Sequence, residues 1–168
     1  MTIFQKESFD KINEIQESIK PRYTVMVVDD KESNLGVMSG ILKADYHVIE
    51  ARDGQEALAL IEKMENLDLF ACIISDYRMP QMNGVELLEK AQLFAPHASR
   101  IIVSGFIDID AIVDSINRGG ICKFIVKPFE MNNFLEAAKC GVQLFESYAE
   151  QVAETQTLHK RISELEKK

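Results

Sequence analysis

Five side chains of this 168-residue chain are of types that handle phosphoryl groups and metal ions, and all five follow the same kind of segment. Asp29 and Asp30 end the run Tyr23-Thr24-Val25-Met26-Val27-Val28. Asp76 ends Phe70-Ala71-Cys72-Ile73-Ile74-Ser75, Ser104 ends Arg100-Ile101-Ile102-Val103, and Lys127 ends Ile121-Cys122-Lys123-Phe124-Ile125-Val126. Each run is short and largely apolar, the pattern of a strand covered on both faces. Each polar group therefore stands at a strand's carboxyl end, the edge at which open α/β sheets do their chemistry. One acid there proves little, because acids commonly end strands or cap helices. An acid pair, a third acid, a hydroxyl and an ammonium on four strands are a far rarer coincidence.

Three carboxylates drawn together repel one another and resist ionisation unless a cation holds them. A hard divalent ion with oxygen ligands answers that need, and Mg²⁺ suits a site of one or two direct carboxylates completed by waters and a phosphoryl oxygen. Such an ion lowers the cost of bringing an anionic phosphoryl group to Asp76. Lys127 neutralises further charge, and Ser104 offers one hydrogen bond to a phosphoryl oxygen. Transfer then requires mainly in-line positioning and charge stabilisation.

The elements that position these groups alternate regularly. Glu32 to Lys43 carries Leu35, Met38, Ile41 and Leu42 at helical spacing. Tyr46 to Ala51 reads as a second, shorter strand, and Asp53 caps a helix running to about Glu65. Pro80 and Asn83-Gly84 stop the third strand and turn the chain, after which Val85, Leu87, Leu88, Ala91 and Leu93 mark a helix that Pro96 ends. A helix is predicted from about Asp108 to Asn117, broken by Gly119-Gly120, and another starts near Glu130. Five strands alternating with five helices predict a parallel α/β sheet with helices on both faces and right-handed crossovers.

Two segments lie outside this alternation. Residues 1–21 read as a polar helix with an apolar stripe of Ile12, Ile15 and Ile19, extended by Phe9 or Phe4 and closed by Pro21. The stripe docks on its own domain, pairs with another chain or frays. Residues 146–168 contain no Gly or Pro. Leu144, Tyr148, Gln151, Thr155, Leu158, Ile162 and Leu165 alternate at steps of four and three, a heptad seam with a polar middle. The spacing predicts a helix that leaves the 22–145 domain and pairs with a second copy, with a solvated tail as the alternative.

The formal net charge of −8, without a basic block, argues against a direct grip on nucleic acid or an anionic membrane face, which needs clustered Lys and Arg. No apolar run reaches bilayer length and no signal peptide pattern is present, so a cytoplasmic location is expected. Cys72, Cys122 and Cys140 lack metal-ligand spacing. Two of them sit in strand-like runs, and packed free thiols are expected.

Val27-Val28-Asp29-Asp30, Asp76 through Gly84, Val103-Ser104-Gly105 and Lys127-Pro128-Phe129 together resemble the receiver domain of two-component response regulators, over about residues 23–145. The resemblance implies a flavodoxin-like, doubly wound sheet of five strands and five helices, with the N-terminal helix and the extended C-terminal helix as additions. It implies that Asp76 accepts a phosphoryl group from a histidine kinase or a histidine phosphotransfer protein. It further implies that Asp30 binds Mg²⁺ directly, that Asp29 acts through water, and that the backbone carbonyl of Arg78 completes the metal ligands. Ser104 would be the switch hydroxyl, Lys127 the phosphoryl-binding ammonium and Phe124 the switch aromatic. The chain departs from the family's pattern in having Ser rather than the commoner Thr at 104. Arg78 and Phe106 fill variable positions beside the site.

The competing readings are an enzyme and a passive module. Haloacid-dehalogenase phosphatases also place a nucleophilic Asp at a strand end, but they need a second Asp two residues later, where this chain has Arg78. No Gly-x-Gly-x-x-Gly or Gly-Lys-Ser/Thr fingerprint follows a strand. A receiver fold used only for constitutive dimerisation or docking would not need the acid pair and the lysine. The expectation is a phosphoacceptor signalling domain rather than an enzyme. The Gly119 to Phe129 segment also resembles receivers joined by a helix to enzymatic outputs such as cyclic-dinucleotide phosphodiesterases.

Overall fold

The computed structural model describes residues 23–105 and 120–165. The stripe of the N-terminal segment, Phe106 and the helix predicted over Asp108 to Asn117 fall outside the described residues. The described elements are β1 (Thr24–Val28), α1 (Glu32–Leu42), β2 (His47–Ala51), α2 (Gly54–Glu62), β3 (Phe70–Asp76), α3 (Gly84–Phe94), β4 (Ser99–Ser104), β5 (Lys123–Val126) and α4 (Met131–Leu165). The strands form one sheet in the order β2-β1-β3-β4-β5, with every neighbouring pair parallel. This is the flavodoxin-like α/β arrangement.

The period-two alternation of the strands divides their side chains between two cores. Val25, Val27, Ile74, Ile101 and Val103 pack with Leu35, Met38 and Leu42 of α1 and with Phe134, Ala138 and Val142 of α4. Met26, Val28, Ile73 and Ile102 point the other way, onto Ala57 and Ile61 of α2 and Leu87, Leu88 and Ala91 of α3. All seven residues of β3 are buried, as the central strand of such a sheet requires.

Side-chain caps fix where two helices begin. The Asp53 carboxylate accepts from the Glu56 N–H at 2.8 Å, and the Asn83 side chain accepts from the Glu86 N–H at 3.0 Å while Glu86 Oε2 accepts from the Asn83 N–H at 3.2 Å. The second pair is a capping box that satisfies two otherwise orphaned donors. α2 stops three residues earlier than expected, at Glu62, where the Met64 N–H closes a tight turn on the Ile61 carbonyl at 3.1 Å.

The thiol expectation needs correction. All three cysteines are free, but only Cys72 is buried, and Cys122 and Cys140 are exposed. β5 is the edge strand and begins at Lys123, so Cys122 precedes it on an edge with a neighbour on one side only. Burial raises the Cys72 thiol to about 12, which keeps it protonated and inert.

α4 runs unbroken for 35 residues. Gly141 lets it approach the sheet closely, since a Cβ there would stand 2.7 Å from Ser99 Oγ and 3.1 Å from Cys72 Sγ. Its last buried residue is Phe145, and beyond it every described residue except half-buried Glu146 is exposed. Tyr148, Leu158, Ile162 and Leu165 of the heptad seam are 47–71% exposed.

Candidate functional site

Parallel registry carries the five groups to one edge. Val28 pairs with Ser75, which sets Asp29 level with Asp76. Asp76 pairs with Val103 and Ser104 with Val126, so Ser104 lies one residue beyond the last rung between β3 and β4, and Lys127 one beyond the last rung between β4 and β5. The strand order reverses direction between β1 and β3. The loops that follow these two strands leave toward opposite faces of the sheet and open a crevice at their carboxyl ends. Asp29, Asp30, Lys31, Asn34, Asp76, Arg78, Ser104, Gly105 and Lys127 line a cavity of about 490 Å³ there.

Lys127 ties the crevice together. Its ammonium donates to Asp29 Oδ2 at 2.7 Å and to Asp76 Oδ1 at 2.5 Å. Burial alone would lower the Lys127 pKa, but the hydrogen bonds and charges of Asp29 and Asp76 outweigh it and hold the group above its ordinary value. Lys127 therefore stays charged throughout the physiological range. The Lys127-Pro128 peptide bond is cis.

The carboxylates differ in environment. Asp29 is wholly buried. It accepts from the Lys31 N–H at 2.9 Å and from the Asn34 side-chain amide at 2.9 and 3.0 Å, so donors surround it and its charge is compensated. Asp76 is 8% exposed, and its Oδ2 accepts from the Arg78 N–H at 2.8 Å. Asp30 is exposed at the mouth of the cavity. Ser104 is buried with its side chain on the cavity wall.

The loop after β3 is held by its own contacts. The Ser75 hydroxyl donates to the Asp76 carbonyl at 2.9 Å, and the Gly84 N–H donates to the Tyr77 carbonyl at 2.9 Å. A Cβ on Gly84 would collide with the Asp76 carbonyl oxygen and stand 2.9 Å from Ile102 Cδ1. Glycine at 84 is thus what allows α3 to start beneath the acceptor strand.

All the carboxylates predicted from sequence meet at this edge, together with Ser104 and Lys127. Phe124 does not touch the cavity. It sits half-buried in β5, against the core shared by α2 and α3. Asn34 was missed, although it holds both oxygens of Asp29. Its signal was an amide in the first turn of a helix that starts three residues after an acid.

The donor set suits a hard cation, because the carboxylates of Asp30 and Asp76, which line the cavity, offer oxygen ligands. Among the described residues no three carboxylate, imidazole or thiol groups converge on one point. The fit is to an ion that keeps several waters and takes few direct carboxylates, as Mg²⁺ does. Among the described residues, no helix is long and apolar enough to cross a membrane.

Residues 25–139 match the model of the response regulator receiver domain. The chain is 30% identical over 122 residues to the hydrogenase transcriptional regulatory protein HoxA of Bradyrhizobium diazoefficiens, covering 73% of this chain and 24% of that one. It is 31% identical over 116 residues to the transcriptional regulatory protein FixJ of Rhizobium meliloti, covering 68% and 54%. The chain thus spans about a quarter of the first of these relatives and about half of the second. A crystal structure described as adenylate cyclase from Rhodopirellula baltica superposes with a TM-score of 0.72 at 29% identity, over 83% of this chain and 98% of that one.

Proposed function

Since the chain belongs to the receiver domains of two-component response regulators, we propose that Asp76 is its phosphoryl acceptor and that the donor is the phosphohistidine of a kinase or phosphotransfer protein. The observation that carries this reading is the contact of one Lys127 ammonium with both Asp29 and Asp76 inside an open crevice. A carboxylate oxygen of Asp76 attacks the phosphorus, the P–O bond forms as the P–N bond breaks, and the imidazole leaves. Lys127 faces the charge that develops on the phosphoryl oxygens, and Ser104 donates to one of them.

Asp30, Asp76 and the Arg78 carbonyl would hold Mg²⁺, with Asp29 acting through water. When bound, the ion neutralises carboxylate and phosphoryl charge. Asp29 orients Lys127 and is itself held by Asn34 and the Lys31 N–H.

Phosphorylation adds about −1.5 to −2 charges at neutral pH. The new oxygens draw Ser104 inward, and half-buried Phe124 turns into the space released. The face formed by the segment before β5, by β5 itself and by the start of α4 changes with it. Turning a 1:99 population into 99:1 requires a differential of about 5.5 kcal/mol. α4 continues from that face into the exposed heptad seam, which supports pairing with a second copy as the readout.

Wild-type protein incubated with acetyl phosphate and Mg²⁺ should gain one phosphoryl group by mass spectrometry, and Asp76→Asn should gain none. Persistent labelling of that variant would remove the assignment.

A further inference from the structure

Asp29 and Asp30 are adjacent acids at one strand end, yet their surroundings are opposite. On wholly buried Asp29, Oδ1 accepts from the Lys31 N–H and the Asn34 amide, both at 2.9 Å. Oδ2 accepts from the Asn34 amide at 3.0 Å and from the Lys127 ammonium at 2.7 Å. A carboxylate has about four lone-pair positions, so none is left over on Asp29. Asp30 is exposed and, among the described residues, makes no hydrogen bond or ion pair. Asp76 is intermediate, with one donor on each oxygen.

One side chain accounts for two of the four contacts on Asp29. Asn34 is the third residue of α1, and its neighbour Leu35 is buried in the core beneath that helix, which fixes the backbone from which the amide reaches. The amide does not cap the helix. The N-cap of α1 is Lys31, which makes no side-chain cap, and among the described residues the side-chain nitrogen of Asn34 meets only Asp29.

We propose, on the reading of the crevice as a Mg²⁺ and phosphoryl site, that Asn34 is a positioning residue that holds Asp29 out of direct metal coordination and thereby sets which ion the crevice takes. With Asn34 in place the direct carboxylates are Asp30 and Asp76, a sparse set that suits an ion retaining several waters. Mg²⁺ is such an ion, whereas Ca²⁺ gathers about six to eight oxygen ligands in flexible arrangements. Without the amide, one position opens on each oxygen of Asp29, and a third carboxylate is free to turn to the ion. The gain falls mainly to Ca²⁺, because the larger ion accommodates added oxygens and Mg²⁺ gives up its water reluctantly.

Calorimetric titration of the full chain with Mg²⁺ and with Ca²⁺, without a phosphodonor, tests this. Asn34→Leu keeps the size of the side chain and removes its donors, and Asn34→Ala is a second variant. In both, the ratio of the Ca²⁺ to the Mg²⁺ dissociation constant should fall about tenfold from the wild-type value, the scale on which residues behind metal ligands act. In an Asp29→Asn background, which has no carboxylate to release, adding Asn34→Leu should leave the ratio unchanged. Urea midpoints identify the folded variants. A merely structural role for Asn34 would weaken both ions in proportion, so a constant ratio in a folded variant would overturn the proposal. So would the same change of ratio in the Asp29→Asn background. Failure of the wild type to bind either ion would instead remove the metal reading of the crevice, and the proposal with it.

Discussion

Replacing Lys127 with Met keeps most of the apolar stem and removes the ammonium that bridges Asp29 and Asp76. The side chain of Lys127 is 22% exposed, while those of Asp29 and Asp76 are 0% and 11% exposed, so two nearly buried carboxylates lose a shared counter-ion. Removing one partner of a buried ion pair typically costs about 3–5 kcal/mol. Here Asp29 keeps the Lys31 and Asn34 donors, and Asp76 keeps the Arg78 N–H. Charge-assisted bonds of that kind lessen the penalty, and a loss of about 2–3 kcal/mol is expected. At roughly 2–4 °C per kcal/mol for a chain of this size, Tm should fall by about 4–12 °C.

The pH dependence is distinctive. The folded-state pKa of Lys127 is raised, so its contribution is complete below the unfolded value of about 10.4 and is lost as pH rises through the folded value. The gap between wild type and variant should be constant from pH 7 to about pH 10 and shrink above that. Millimolar Mg²⁺ should stabilise the variant more than the wild type, because the carboxylates then have no ammonium. Urea unfolding across pH and Mg²⁺ measures all three. A loss below about 0.5 kcal/mol, or a gap that widens in alkali, would refute the role given to Lys127.

Gly84→Ala drives a methyl group into the Asp76 carbonyl and Ile102 and should cost about 1–3 kcal/mol, with slower acetyl phosphate labelling because the acceptor strand end shifts. Asn83→Ala removes the capping box of α3 and should cost about 1 kcal/mol by urea titration, leaving labelling nearly unchanged. Phe134→Ala empties a fully buried position whose ring stacks on Phe129 at 4.7 Å; a loss of about 3–5 kcal/mol is expected. Leu158→Lys/Ile162→Lys alters exposed seam positions, so Tm of the dilute protein should stay within about 2 °C. Light scattering of that variant with beryllofluoride should report a monomer where the wild type reports a dimer.

Strand character and the acids at strand ends were legible in the chain because each depends on near neighbours, whereas Asn83-Gly84, read as a turn, is the N-cap and first residue of α3. A buried parallel strand needs a short apolar run, and the residue that ends the run stands at the sheet edge whatever the sheet order. The capping carboxylate of Asp53 acts three residues away, within the span that local pattern describes. The heptad spacing of α4 is likewise a property of the segment itself, although its pairing is not.

Distance along the chain marks where that legibility ended. Lys127 meets Asp29 across 98 residues and Asp76 across 51, and only the β2-β1-β3-β4-β5 order with its registry turns four strand ends into one crevice. Cys122 looked like a core residue until β5 proved to be the edge strand. Asn34 gained its place from its contact with both oxygens of Asp29, and Gly84 and Gly141 from how closely a helix comes to the sheet. The sequence by itself determined which side chains stand at the ends of strands, since alternation and apolar runs are local. The tertiary structure decided which of them touch, because a hydrogen bond depends on ångström-scale approach between elements that local pattern does not encode.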